Sequence, residues 1–119
     1  MDQNPYLAAL ALIQRHEGTS GQVALAKCVL SLYDKIHAFA LSEIILPLDS
    51  EGRQLVLSMT HNYAVHGETP ELLTAGKWCY VNLPHLSELS RAMFAARQKV
   101  EEQWDREREE QFARDFPNG

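Results

Sequence analysis

Little in this sequence points to chemistry. Cysteine is scarce: the 119 residues hold two, Cys28 and Cys79. Both sit among apolar neighbours (Ala26-Lys27-Cys28-Val29-Leu30 and Trp78-Cys79-Tyr80-Val81), where a free thiol behaves as a small hydrophobe, so neither a disulfide nor a cysteine metal site is expected. An excess of positive charge is also missing. Eleven basic side chains stand against 16 acidic ones, for a formal charge of -5, which argues against holding nucleic acid or an anionic membrane through spread basic charge. The acidity is too mild for a mimic of DNA. Long apolar runs are absent as well: Leu7 to Ile13 falls far short of the roughly 20 residues that span a bilayer, and no positive stretch precedes it. A cytosolic protein without membrane contact is expected. With six glycines, five prolines and 45% hydrophobic residues, the chain is too apolar to be disordered. At this length folding buries about two thirds of the surface, enough for one core without staples.

What is present reads as helix. Asn4 before Pro5 is a cap followed by proline at the first helical position, where its missing N–H costs nothing. The helix from Pro5 to Glu17 ends at Gly18, and Thr19 or Ser20 caps the next. That second helix, about Gly21 to His37, is apolar over most of its circumference except for Lys27, Ser31, Asp34 and Lys35, which makes it the central helix of the domain. A turn of helix is expected near Ser42, before Pro47. Asp49 or Ser50 then opens a helix from Ser50 to His66, with Leu55, Val56, Met59 and Tyr63 inward. Thr69-Pro70 starts a short helix to Ala75, closed by Gly76, and Lys77-Trp78-Cys79-Tyr80-Val81 reads as an extended connector. The last helix begins at Asn82-Leu83-Pro84, with Leu86, Leu89, Met93 and Phe94 facing the core, and meets no stop before Pro117. The expected fold is all-α: a bundle of four to five helices over residues 1–96 and a charged, aromatic-bearing extension over 97–119.

Catalytic and metal signatures are lacking. The five histidines are scattered; His61 and His66 are spaced to fall on different sides of a helix, and there is no CxxC, HExxH or His-x3-His pair. His16, His37 and His85 lie at helix ends, where histidine commonly serves as a capping cation. Gly18-Thr19-Ser20-Gly21-Gln22 resembles a phosphate-binding turn, but a helix precedes it and no lysine follows in register, so a helix-helix corner is expected. There is no G-x-S-x-G elbow. No enzyme, cofactor or metal is expected.

The unusual part is the tail. From Arg97 to Asp115 there are five basic and seven acidic side chains, with i, i+4 pairs such as Glu102 with Arg106 and Glu110 with Arg114, each worth about 0.2–0.5 kcal/mol. A helix from Pro84 to Asp115 would be about 48 Å long, more than such a domain is wide, so its end must project or find a partner. Val100, Trp104, Phe112 and Phe116 recur at multiples of four, with Arg108 filling the gap and Arg97 beside them. Exposed aromatics with arginine are the side chains that anchor protein contacts. This stripe is the candidate interface, for a protein partner or a homodimer.

The turn Gly18-Thr19-Ser20-Gly21-Gln22, the run Val29-Leu30-x-Leu32-Tyr33 and the stretch from Phe39-x-Leu41-Ser42 to Leu48-Asp49 resemble a family of small helical proteins of proteobacterial plasmids, integrative elements and phages. The resemblance covers roughly residues 5 to 95 and omits the tail. It implies a helical mobile-element protein with no catalytic residues to carry over. The expectation is a non-enzymatic interaction factor that binds and inhibits a host complex, of which an anti-CRISPR-like protein is one version. The alternatives are a small DNA-associated regulator using Lys27, Lys35 and Arg53, and a self-associating accessory protein.

Overall fold

The computed structural model describes residues 3–118 and is all-helical over them. Six helices follow in order: α1 (Pro5–Arg15), α2 (Ser20–Tyr33), α3 (Leu41–Ile45), α4 (Ser50–His66), α5 (Pro70–Asn82) and α6 (Pro84–Asp115). The count exceeds the expected four to five because the turn at α3 and the full length of α5 are both helical.

Side-chain caps start the helices where the sequence places them. Asn4 accepts from the backbone N–H groups of Tyr6 and Leu7, Thr19 from Gln22, Asp49 from Gly52 and Thr69 from Leu72, which satisfies donors a helix start leaves open. Gly67 adopts φ of 67° and caps α4. α1 stops at Arg15 with His16 as its cap residue, two residues short of the expected Glu17, and Gly18, at φ of 80°, belongs to the turn that follows.

α2 is the hub. Ala24, Leu25, Ala26, Cys28, Val29 and Leu30 are buried along it, and α1, α3, α4 and α5 all pack against it. Tyr6, Ala9 and Ile13 of α1, Val56 and Met59 of α4, and Leu72, Ala75 and Cys79 of α5 complete the core. The Tyr6 hydroxyl donates to the Met59 carbonyl at 3.3 Å, so the buried ring keeps its polar end satisfied. Tyr63, expected inside, is 41% exposed; α4 is covered on one narrow face only.

Two expectations about the middle of the chain are corrected. α2 stops at Tyr33, with Asp34 as an extended cap residue, and does not reach His37. More important, α5 runs through Gly76 to Asn82, so Lys77-Trp78-Cys79-Tyr80-Val81 is helix and not an extended connector. Gly76 does not end the helix: it is where α5 lies against the ring of Tyr33 on α2, so close that a Cβ there would stand 2.6 Å from the Tyr33 Cβ. The residue is a contact requirement between helices, which local sequence does not reveal.

α6 is one continuous helix of 32 residues, packed chiefly on α5. Its contact face is Leu86, Ser87 and Ser90, with Met93 and Phe94 half-buried; Leu89, expected on this face, is 45% exposed. Small serines bring the two helices together, and the Ser87 hydroxyl donates to the Tyr80 carbonyl at 2.9 Å. From Ala95 onward every described residue is exposed. The molecule measures 66 × 30 × 24 Å, with a radius of gyration of 18.4 Å; a compact chain of this length has about 13.5 Å. The projecting half of α6 accounts for the difference.

Candidate functional site

The stripe that the sequence singles out lies wholly on this projection. Val100 is 45% exposed, Trp104 57%, Phe112 59% and Phe116 58%, so none folds back on the body. A four-residue step turns about 40° past a full helical turn, and the side chains therefore form an inclined ridge. The Phe112 and Phe116 rings lie against each other, tilted by 36°, with centroids 4.9 Å apart. Arg97 lies at the inner end of the ridge, and Arg108 sits between Trp104 and Phe112.

Charges flank the ridge. Arg97 donates to Glu101 at 3.0 Å, Arg108 pairs with Asp105, Gln103 donates to Glu107 at 3.1 Å and Gln111 to Asp115 at 3.1 Å. The expected pairs Glu102 with Arg106 and Glu110 with Arg114 are not among the ion pairs of the described residues; Arg114 donates to Gln111 instead, at 2.7 Å. Solvated pairs of this kind differ by only tenths of a kcal/mol, so sequence spacing does not choose between them.

Two of the three basic residues that a DNA contact would use are engaged elsewhere. Lys27 pairs with Glu43 at 3.3 Å and lies over the Phe39 ring, 5.4 Å from its centroid. The Arg53 guanidinium donates from Nε to the Ile45 carbonyl at 3.3 Å. Lys35 is exposed.

Gly18 to Gln22 is a helix-helix corner. The Gln22 side chain holds it, donating to the Ile13 carbonyl at 2.8 Å and accepting from the Gly18 N–H at 2.9 Å. A cleft of about 260 Å³ opens beside it, between the starts of α2 and α4, with His16, Thr19, Asp49 and Glu51 on its walls. Thr19 is no nucleophile here, since its hydroxyl donates to the His16 carbonyl at 2.7 Å and accepts from the Gln22 N–H at 3.1 Å. Among the described residues no group of three or more His, Cys, Asp or Glu is placed to hold a metal ion, and no helix is long and apolar enough to cross a membrane.

Sequence reasoning missed His37. It is 1% exposed, stacked 6.4 Å from the Tyr33 ring and edge-on to Tyr80 at 5.8 Å, and neither ring nitrogen has a hydrogen-bond partner. Its neighbours Lys35 and Ala38 are exposed and do not mark it as buried. Desolvation lowers its pKa from the ordinary 6.5, against a smaller opposing pull from Asp34. The unfolded chain thus takes the proton more readily, and the stability His37 contributes as a neutral ring is complete above 6.5 and withdrawn as pH falls below it. A thermal melt should therefore drop between pH 7.5 and 5.5 in the wild type and stay nearly level in His37→Phe; equal drops in both would show that the imidazole is not responsible. Burial likewise pushes the Cys28 and Cys79 thiols up to about 12, which leaves them unreactive.

The chain matches no protein-family model, no curated protein and no solved structure, so its function has to be argued from the exposed ridge of α6.

Proposed function

We propose that this protein is a non-enzymatic protein-binding factor that engages its partner through the projecting half of α6. One observation carries the reading: Trp104 and Phe112 on one ridge of a helix that the body does not cover, and Phe116 at its C-cap, are large aromatic side chains each more than half exposed. Water penalises such a patch on a monomer, and aromatics with interleaved arginine are the usual anchors of protein contacts. The resemblance of the body to mobile-element proteins makes a host complex the partner class. Binding by occlusion would then inhibit that complex in the manner of counter-defence proteins, anti-CRISPR-like inhibitors included. A DNA-associated regulator has less support, because Lys27 and Arg53 are tied to Glu43 and to backbone carbonyls.

The test is affinity capture from a host extract with the wild type and with Trp104→Ala/Phe112→Ala. The wild type retains a protein that the double variant loses, while the circular-dichroism melts of the two chains coincide. Equal retention by both chains would refute the reading.

A further inference from the structure

The ridge on α6 has the layout of a surface that fits itself, and this step rests on the reading of α6 as an interface. We propose that two copies of the chain pair through their α6 projections, antiparallel, crossing near residues 104–108.

The spacing sets the geometry. A left-handed coiled coil would need apolar residues in three-four alternation, and that seam here reads Met93, Arg97, Val100, Trp104, Glu107, Gln111, Arg114, too polar to zip. The apolar residues follow the four-residue ridge instead. Two such ridges interdigitate with the helices crossing at about -50°, which concentrates contact at one place.

Charge selects the direction. With the crossing at residue 106, Trp104 of one copy meets Arg108 of the other, twice by symmetry, and Val100 meets Phe112. A guanidinium over an indole face is favourable, and Arg108, already paired with Asp105 of its own chain, comes within reach of the second copy's Asp105 as well. A parallel pair would set Arg108 on Arg108 and Trp104 on Trp104, and would also align the helix dipoles unfavourably.

The projection also has the right length. Helix extends about 30 Å beyond Phe94, the last residue half-buried on the body. Its midpoint is the proposed crossing, so each tip ends short of the other copy's body. Trp104 and Phe112, which flank the crossing, each expose more than half of their surfaces, and at about 150–250 Å² per ring system they offer roughly 230 Å² per copy. Val100, Arg97 and Arg108 added from both sides set an upper limit near the about 1,200 Å² at which specific interfaces begin, the size of a small, reversible contact.

Sedimentation with Asp105→Arg and Arg108→Asp tests the pairing. Each variant alone sets like charges against each other across the crossing and should associate at least about 10-fold more weakly than the wild type. An equimolar mixture should recover the dimer, because the native Arg108 of the first variant then meets the native Asp105 of the second, and the introduced arginine meets the introduced aspartate. The charge pair within each chain remains broken in that mixture, so a merely local helix effect predicts no recovery. Direction is read by oxidising a mixture of Glu101→Cys and Gln111→Cys chains, whose native thiols are buried. Links between positions 101 and 111 are expected, whereas like-to-like links would overturn the antiparallel arrangement. A wild type that is monomeric at every concentration, or single variants that associate normally and gain nothing on mixing, overturns the pairing; such a monomer could still lose a captured protein on Trp104→Ala/Phe112→Ala, which separates this failure from failure of the interface reading.

Discussion

Gly76→Ala should lower the thermal midpoint by on the order of 10 °C. In an exposed helix the same change would raise it, because alanine is about 1 kcal/mol better than glycine in a helix interior. At this position the added methyl would overlap the base of the Tyr33 ring and its Cβ. Those atoms are the near end of a side chain anchored on α2, so relief requires moving two helices apart in the best-packed part of the core. Overpacking of that kind costs about 3 kcal/mol or more, and the net loss after the propensity gain is about 2 kcal/mol or more. Gly21→Ala is the internal control. It lies in the first turn of α2, and its Cβ would meet only the Thr19 hydroxyl, at 4.0 Å, so that variant should melt at the wild-type temperature or slightly above. Adding Tyr33→Ala to Gly76→Ala should cost much less than the sum of the two single changes, since the first removes what the second collides with. Equal midpoints for Gly76→Ala and Gly21→Ala, read by circular dichroism, would remove Gly76 from its place at the helix contact.

That glycine also marks the boundary of what local sequence conveys. The starts of α1, α2, α4 and α5 were legible because a cap is a local event: Asn4, Thr19, Asp49 and Thr69 act on backbone groups two or three residues away. The stop at Gly67 was legible for the same reason, whereas α1 ends at Arg15, before the glycine that the sequence offered as its stop. Gly76 carries the same letter with a different cause, a ring from a helix more than forty positions earlier, and nothing nearby distinguishes the two. The burial of His37 was hidden likewise, because its surroundings, Tyr33 and Tyr80, come from different helices. On α6 the face was blurred by serine. Ser87 and Ser90 are buried where a hydrophobic stripe would favour Leu89, since close approach to α5 calls for small side chains. The tail stood out in the sequence because it lacks tertiary context: a helix that touches nothing is described by its own periodicity.

The second large effect concerns that tail. A chain ending at Ala96 should keep the thermal midpoint of the full protein within about 2 °C and lose association altogether. The stability side follows from burial. Every described residue beyond Phe94 is exposed, and the polar pairs along the projection contribute only about 0.2–0.5 kcal/mol each to holding their own helix. A solvated helix of this length is marginal by itself, so its removal takes nothing from the core around α2. The binding side follows from where the aromatics are. Trp104, Phe112 and Phe116 all go with the truncation, and they carry the exposed apolar surface that an interface would bury. Leu46 at 74%, Val81 at 64%, Leu41 at 63%, Leu57 at 60% and Val65 at 59% exposure remain on the body, but they are aliphatic and spread from α3 to α5, and exposed apolar residues of that kind are ordinary on protein surfaces.

Sedimentation velocity of the full chain beside the chain ending at Ala96, over a range of concentrations, tests the central claim most directly. If the ridge of α6 is an interface that a second copy covers, the full chain's weight-average sedimentation coefficient rises with concentration and the shortened chain stays at the monomer value throughout. Equal behaviour of the two, both flat or both rising, would contradict it.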